Sequence, residues 1–254
     1  MPVCITVGEV GGITVGLTIS VAVVALVAAL IAAVGPSAVA APPRHRGTVA
    51  RPGPIVALGD SLTYGFGVTG APHGPAPAHS YPWDMARDLR VPVVNAGISG
   101  TTAHEVLDPA SDPAPRPESM QLPALLALHP RLVVVEFGSN EAIHGWPIAQ
   151  TVGDFEQLLS RIAGAHVPLV LVGTHVDCTR DPCVPPPDGS TAQVYTTAWD
   201  AALTALADEY HAGLVLDVEH GFTEADMTDW IHCSARGYQR MAARIEAAVR
   251  ARLR

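Results

Sequence analysis

From residue 55 onward the chain alternates between short apolar runs and longer stretches whose apolar residues recur every three or four positions. Residues 55–58, 91–94, 132–137, 169–172 and 214–218 are runs of Val, Leu, Ile, Ala and Phe, broken by Pro92 in the second, Glu136 in the third and Asp217 in the fifth. Runs this short, flanked by Gly, Pro or polar residues, predict strands buried on both faces. Between them, residues 82–89 and 193–211 have helical character, and Ile148, Val152, Phe155, Leu159 and Ile162 line one face of a further helix. Tyr238, Met241, Ile245 and Val249 line another, whose last turn is Arg-rich as the helix dipole favours. Alternating buried strands and helices predict an α/β fold, a three-layer α/β/α sandwich around a mainly parallel five-stranded sheet. In such a sheet, sites gather at the carboxyl ends of the strands.

The chain before residue 55 is different. No charged residue lies between Glu9 and Arg44, and residues 21–34 are an uninterrupted run of Val, Ala, Leu and Ile. Gly35-Pro36 breaks any helix there, and Ala38-Val39-Ala40 offers the small-x-small pattern of a signal-peptidase site. Residues 1–40 therefore read as an export signal, although its first twelve residues carry no Lys or Arg. The alternative is an uncleaved membrane anchor over residues 13–34, long enough to span a bilayer. Arg44 and Arg46 after the run would then hold the rest of the chain inside, in conflict with export. Residues 41–54 read as a linker, and residues 55–254 as the folded domain. The expected location is secreted or extracytoplasmic.

Net charge is −9 and no basic run suggests a phosphate-binding face, which argues against a nucleic-acid partner. Cys4 falls in the leader. Cys178 and Cys183 flank Thr-Arg-Asp-Pro in a Pro-rich loop, a spacing that an exported protein can close as a small disulfide. A metal site with His175 and Asp177 is the competing reading, but the spacing is loose and no second ligand pair follows, so no metal and no cofactor are expected. Cys233 is left as a small buried thiol.

Four segments carry candidate chemistry: Gly59-Asp60-Ser61-Leu62-Thr63, Asn95-Ala96-Gly97-Ile98-Ser99-Gly100, Gly138-Ser139-Asn140-Glu141 and Asp229-Trp230-Ile231-His232. The first three follow the first three predicted strands, and the last lies in the loop after the fifth. A Ser hydroxyl needs a base, and an imidazole works best when a carboxylate fixes its tautomer. The segments also offer oxyanion donors: the Ser61 N–H at a helix start, the Gly100 N–H on a backbone without a Cβ, and the uncharged Asn140 amide. Taken singly, these are a cap, a turn and a loop residue. Together and in this order they point to ester hydrolysis.

Gly59-Asp60-Ser61-Leu62, Gly100, Gly138-x-Asn140 and Asp229-x-x-His232 resemble the SGNH (GDSL) hydrolase superfamily, and the resemblance covers the chain from about residue 55 to its end. It implies a flavodoxin-like sandwich, Ser61 as nucleophile, His232 as general base and then acid, and Asp229 as its orienter. Ser61, Gly100 and Asn140 would form the oxyanion hole. The implied activity is a secreted esterase or lysophospholipase-like hydrolase working through an acyl-enzyme. Its substrate would be a small ester, a lipid or an acetylated glycan, and the protein a monomer touching membrane only through an uncleaved N-terminal segment. A carbohydrate O-acetylesterase and an acyltransferase are alternatives on the same fold, and a non-catalytic surface binding protein is a third class.

Two positions depart from the family pattern. Glu141 stands where many relatives have Asp, and Cys233 where Pro is frequent, a thiol that would sensitise the site to oxidation. Asp217 and Glu219 compete with Asp229 for the role of acid, but three-residue spacing to His232 favours Asp229. Tyr81-Pro82-Trp83 resembles the aromatic-Pro helix start of lysophospholipase- and thioesterase-like members, or is plain helix packing. Asp60 reads as a cap or loop-fixing residue. The remaining histidines of the domain read as surface or loop residues, and residues 65–78 and 177–189, rich in Gly and Pro, as borders of the cleft.

Overall fold

The computed structural model describes residues 53–68, 78–111, 116–174, 176, 183–184 and 192–254. The apolar leader, most of the linker, His175, Asp177 and Cys178 lie outside these residues, so the expectations placed on them do too. Among the described residues no helix is long and apolar enough to cross a membrane.

Five strands form one parallel sheet: β1 (Ile55–Gly59), β2 (Val93–Gly97), β3 (Leu132–Glu136), β4 (Leu169–Val172) and β5 (Gly213–Val215). Their order is β2-β1-β3-β4-β5, so the chain reverses its direction of winding between β1 and β3. That is the flavodoxin-like order, and its ligand crevice opens where the order reverses.

The helices are α1 (Ser61–Tyr64), α2 (Tyr81–Leu89), α3 (Ala103–Leu107), α4 (Leu122–Ala127), α5 (Ser139–Ile143), α6 (Ile148–Gly164), α7 (Ala192–Glu209) and α8 (Ala235–Arg252). Because side chains alternate along a strand, each strand feeds two cores. Val56, Leu58, Val133, Val135, Leu169 and Leu171 meet Phe155, Leu158, Leu159 and Ile162 of α6 and Trp199 and Leu203 of α7. Ile55, Ala57, Leu132, Val134, Val170 and Val172 meet Tyr81 and Met85 of α2 and Tyr238, Met241, Ile245 and Val249 of α8. The continuous apolar runs seen in the sequence are the consequence.

Strand bounds differ most from expectation at two places. β2 runs three residues further than predicted, pairing in register with β1 from Ile55↔Val93 to Gly59↔Gly97. The polar Asn95 fits because its amide donates to the carbonyls of Thr63 (2.9 Å) and Tyr64 (3.2 Å), and its Oδ1 accepts from Gly97 N. β5 stops at Val215 rather than 218, since Leu216 is exposed and Asp217 turns to φ +45°. Four histidines (His79, His129, His166 and His211) also take positive φ. The last three do so just beyond α4, α6 and α7, a left-handed position that His tolerates better than most residues.

Candidate active site

His232 is held by a short loop that wraps around one carboxylate. Asp229 Oδ1 accepts from the backbone N–H groups of Ile231 (2.9 Å) and His232 (2.6 Å), while Oδ2 lies 2.7 Å from His232 Nδ1. A three-residue spacing lets one side chain take both its neighbours' amides and the ring. Burial pushes the Asp229 carboxyl up, but the hydrogen bonds from His232 and Ile231 outweigh it and hold it below its ordinary value. The loop is closed by an antiparallel bridge between Met227 and Cys233, with the Thr228 N–H donating to the His232 carbonyl at 2.8 Å. His232 Nε2 then lies 3.1 Å from Ser61 Oγ, across 171 residues of chain.

Ser61 opens α1 directly after β1. Asp60 caps that helix, its Oδ1 accepting from Leu62 N at 2.8 Å, and Gly65 ends it at φ +96°. Gly67, also at φ +96°, lets the following chain lie against the base loop: a Cβ there would meet Thr228 Oγ1 at 2.4 Å and Cys233 O at 2.9 Å. This close approach seats the Phe66 ring against the His232 ring, centroids 4.3 Å apart, while Tyr238 OH donates to the Phe66 carbonyl. The sequence placed Phe66 and Gly67 only within a Gly/Pro-rich border of the cleft; their specific contact with the loop of His232 is distant along the chain and carried no signal of its own.

Gly100 stands at the third position of a turn closed by Thr101 N donating to Ile98 O, with φ +85° and open space where a side chain would project. Asn140, in the first turn of α5, donates through Nδ2 to Thr101 O at 2.8 Å and to Asp60 Oδ2 at 3.3 Å. The carboxyl ends of β1, β2 and β3 thus bring Ser61, Gly100 and Asn140 together. Arg116, buried and unsignalled in the sequence, steadies the β2 end by donating to Ala96 O and Thr101 Oγ1.

The departures from the family pattern have structural explanations. Glu141 is buried and links two loops, Oε1 accepting from Ala103 N (2.9 Å) and Oε2 from Gly138 N (3.0 Å). Burial pushes its carboxyl up to about 7 against those bonds. Cys233 is fully buried between Glu219 and Met241, and burial pushes its thiol far up. Since only an accessible thiolate reacts readily, the expected sensitivity to oxidation is corrected: this thiol is inert in the fold.

Neither rival acid reaches His232. Asp217 pairs with His220 at 3.1 Å, and Glu219 accepts from the Cys233 thiol. Tyr81 is buried with its OH 2.9 Å from Thr63 Oγ1, whereas Trp83 is exposed and packs against His79 and Arg87. His104 pairs with Asp154 and packs on Trp146. Cys183 is disulfide-bonded, and its expected partner Cys178 lies outside the described residues. Val184 beside it donates to the carbonyl of Ile143, the last residue of α5, which ties one border loop to the helix carrying Asn140.

Known proteins share this fold. The GDSL-like Lipase/Acylhydrolase family matches residues 57–240. Thioesterase 1/protease 1/lysophospholipase L1 of Escherichia coli (strain K12) is 32% identical over 162 residues, which span 63% of this chain and 64% of that protein. The psychrotrophic esterase EstA of Pseudoalteromonas sp. has the same fold at 17% identity and a TM-score of 0.57, covering 78% of this chain and 97% of its own. A carbohydrate acetylesterase family member from Sinorhizobium meliloti also has a TM-score of 0.57, at 22% identity, covering 79% and 99%. The chain belongs to the GDSL-like lipase/acylhydrolase family of hydrolases.

Proposed function

We propose that this protein is an exported serine esterase that cleaves carboxylic esters through an acyl-enzyme on Ser61. The observation that carries the reading is His232 standing between its two partners, 3.1 Å from Ser61 Oγ and 2.7 Å from Asp229 Oδ2. With Nδ1–H held by Asp229, Nε2 is the free base; it takes the Ser61 proton as Oγ bonds to the ester carbonyl carbon. Negative charge then develops on the carbonyl oxygen. The N–H groups of Ser61 and Gly100 and the Asn140 amide receive it. Of the two Asn140 hydrogen bonds, the one to Asp60 is the longer at 3.3 Å and yields to the oxyanion. Collapse breaks the ester C–O bond, His232 protonates the departing alkoxide, and a water activated by the same imidazole releases the acid.

Support for export comes from the apolar run at residues 21–34 and the small-residue pattern after it. N-terminal sequencing of the mature protein is expected to find cleavage after Ala40; retention of the leader would refute that part. For the chemistry, a fluorophosphonate probe should label the wild type and not Ser61→Ala. A wild type that neither labels nor hydrolyses any p-nitrophenyl ester would sink the reading.

A further inference from the structure

Beneath Ser61 the fold buries two acids against each other. Asp60 and Glu136 are both 0% exposed and each acts on the other's ionisation. The β1–β3 register sets Gly59 opposite Glu136, so the residue after β1 and the last residue of β3 fall together by topology. Thr63 Oγ1 donates to Glu136 Oε2 at 2.9 Å and itself lies 2.9 Å from Tyr81 OH. Glu136 Oε1 is buried with no hydrogen-bond partner, whereas both Asp60 oxygens accept from donors, Leu62 N and the Asn140 amide, so the proton of the pair falls to Glu136. The other ionisable groups acting on the pair are Glu219, Glu141, Tyr81, Tyr238 and Cys233, with Asp217 and Arg244 beyond Glu219 and Asp226 beyond Cys233. Two touching carboxylates in such surroundings do not both ionise at neutral pH.

Asp60 also touches both halves of the machinery above. Oδ1 fixes the helix start that carries Ser61, and Oδ2 accepts from the Asn140 amide. We infer that Asp60 is a positioning residue for Ser61 and Asn140 together, and that Glu136 holds the proton that keeps the acid pair at one negative charge during ester cleavage. The inference rests on the roles given to Ser61 and Asn140 above. A single charge on the pair is enough to orient both donors. A second would lie under the oxyanion as it forms, and would draw the Asn140 N–H down toward Asp60.

Burial pushes both carboxyls up, Glu136 to about 7. A raised carboxyl keeps its proton into the neutral range and loses it above, so the penalty falls on the alkaline side. The test is hydrolysis of p-nitrophenyl acetate between about pH 6 and pH 10, with thermal unfolding of each variant measured beside it. In the wild type, kcat is expected to drop about tenfold from neutral to alkaline pH, the scale of one impaired oxyanion donor or less. In Glu136→Gln, which fixes the pair at one charge while preserving its hydrogen bonds, that ratio becomes close to one. Glu219→Gln, which removes a neighbouring acid, keeps the wild-type ratio.

Asp60→Asn retains an oxygen for Leu62 N but can set a donor against the Asn140 amide. Its kcat is expected to fall about tenfold or more with KM little changed. Its unfolding temperature should hold or rise, because a buried charge is removed; a merely structural residue would lose both together. Parallel alkaline losses in wild type and Glu136→Gln, full kcat in Asp60→Asn, or a matching collapse of its stability would each overturn the inference. Should Asp60→Asn fail to fold, the Glu136→Gln profile decides alone. A wild type that cleaves no ester overturns the functional reading and this one with it, whereas an active wild type with parallel profiles overturns only this one.

Discussion

The two sides of the site are held by different physics. The floor that carries Ser61 and Asn140 is continuous with the core: the two residues are 7% and 9% exposed, Asp60 and Glu136 fully buried, and the floor elements issue from paired strand ends. The base loop is a surface feature in which the Asp229 side chain is 41% exposed and that of His232 17%. Three bonds from Asp229 to its own neighbours and one bridge hold it in shape. Deleting a side chain that the core positions couples function to stability, because the same atoms serve both. Positioning by local hydrogen bonds leaves them separable.

That contrast breaks or sharpens under substitution. His232→Ala should cost the most activity, about 10⁶-fold in kcat when a triad member is lost. Its unfolding temperature should stay near that of the wild type; a large drop would mean that the loop is part of the core after all. Asp229→Asn comes next, at about 10⁴-fold through the wrong tautomer, again with small effect on stability. On the floor, Asn140→Ala is expected to cost about 10²–10³-fold in kcat. Unlike the loop variants it should also lower the unfolding temperature, since Thr101 and Asp60 lose their amide partner. Calorimetry of the three proteins side by side tests the separation.

The smallest effect is one of pH. Burial raises Glu136 and Glu141 to about 7 and Glu219 to about 8. Each keeps its proton in the fold where the unfolded chain has lost it, so its contribution is complete below the ordinary carboxylate range and lost as pH rises through 7 to 8. Thermal unfolding at about pH 5 and about pH 8.5 should differ by several degrees in favour of the lower pH, and Glu136→Gln should narrow the gap. An equal or higher midpoint at alkaline pH would show that these acids do not titrate within the fold.

The loop was the more legible of the two regions. Asp229 and His232 lie three residues apart, and their contact needs only a turn, so the spacing of residue types announces it. The floor was legible in its parts, Ser61, Gly100 and Asn140, each at the end of a predicted strand. What joined them was not. Asp60 read as a cap, and it is one, but its second oxygen reaches Asn140 across 80 positions of chain. Glu136 looked like an interruption in an apolar strand, although its register opposite Gly59 brings it against Asp60. Arg116 gave no local sign for the same reason, and Phe66 and Gly67 only the composition of a cleft border.

From its residues alone, this chain determines alternating buried strands and helices, their order, and four segments at the strand ends, because periodicity and short-range spacing are properties of neighbours. Only the tertiary structure decided that β1 and β3 lie side by side, and with that the acid pair under Ser61, the double tie on Asn140, and the 3.1 Å approach of His232. Strand order and register come from packing the sheet as a whole. A contact set by register has no signature in either of the segments that make it.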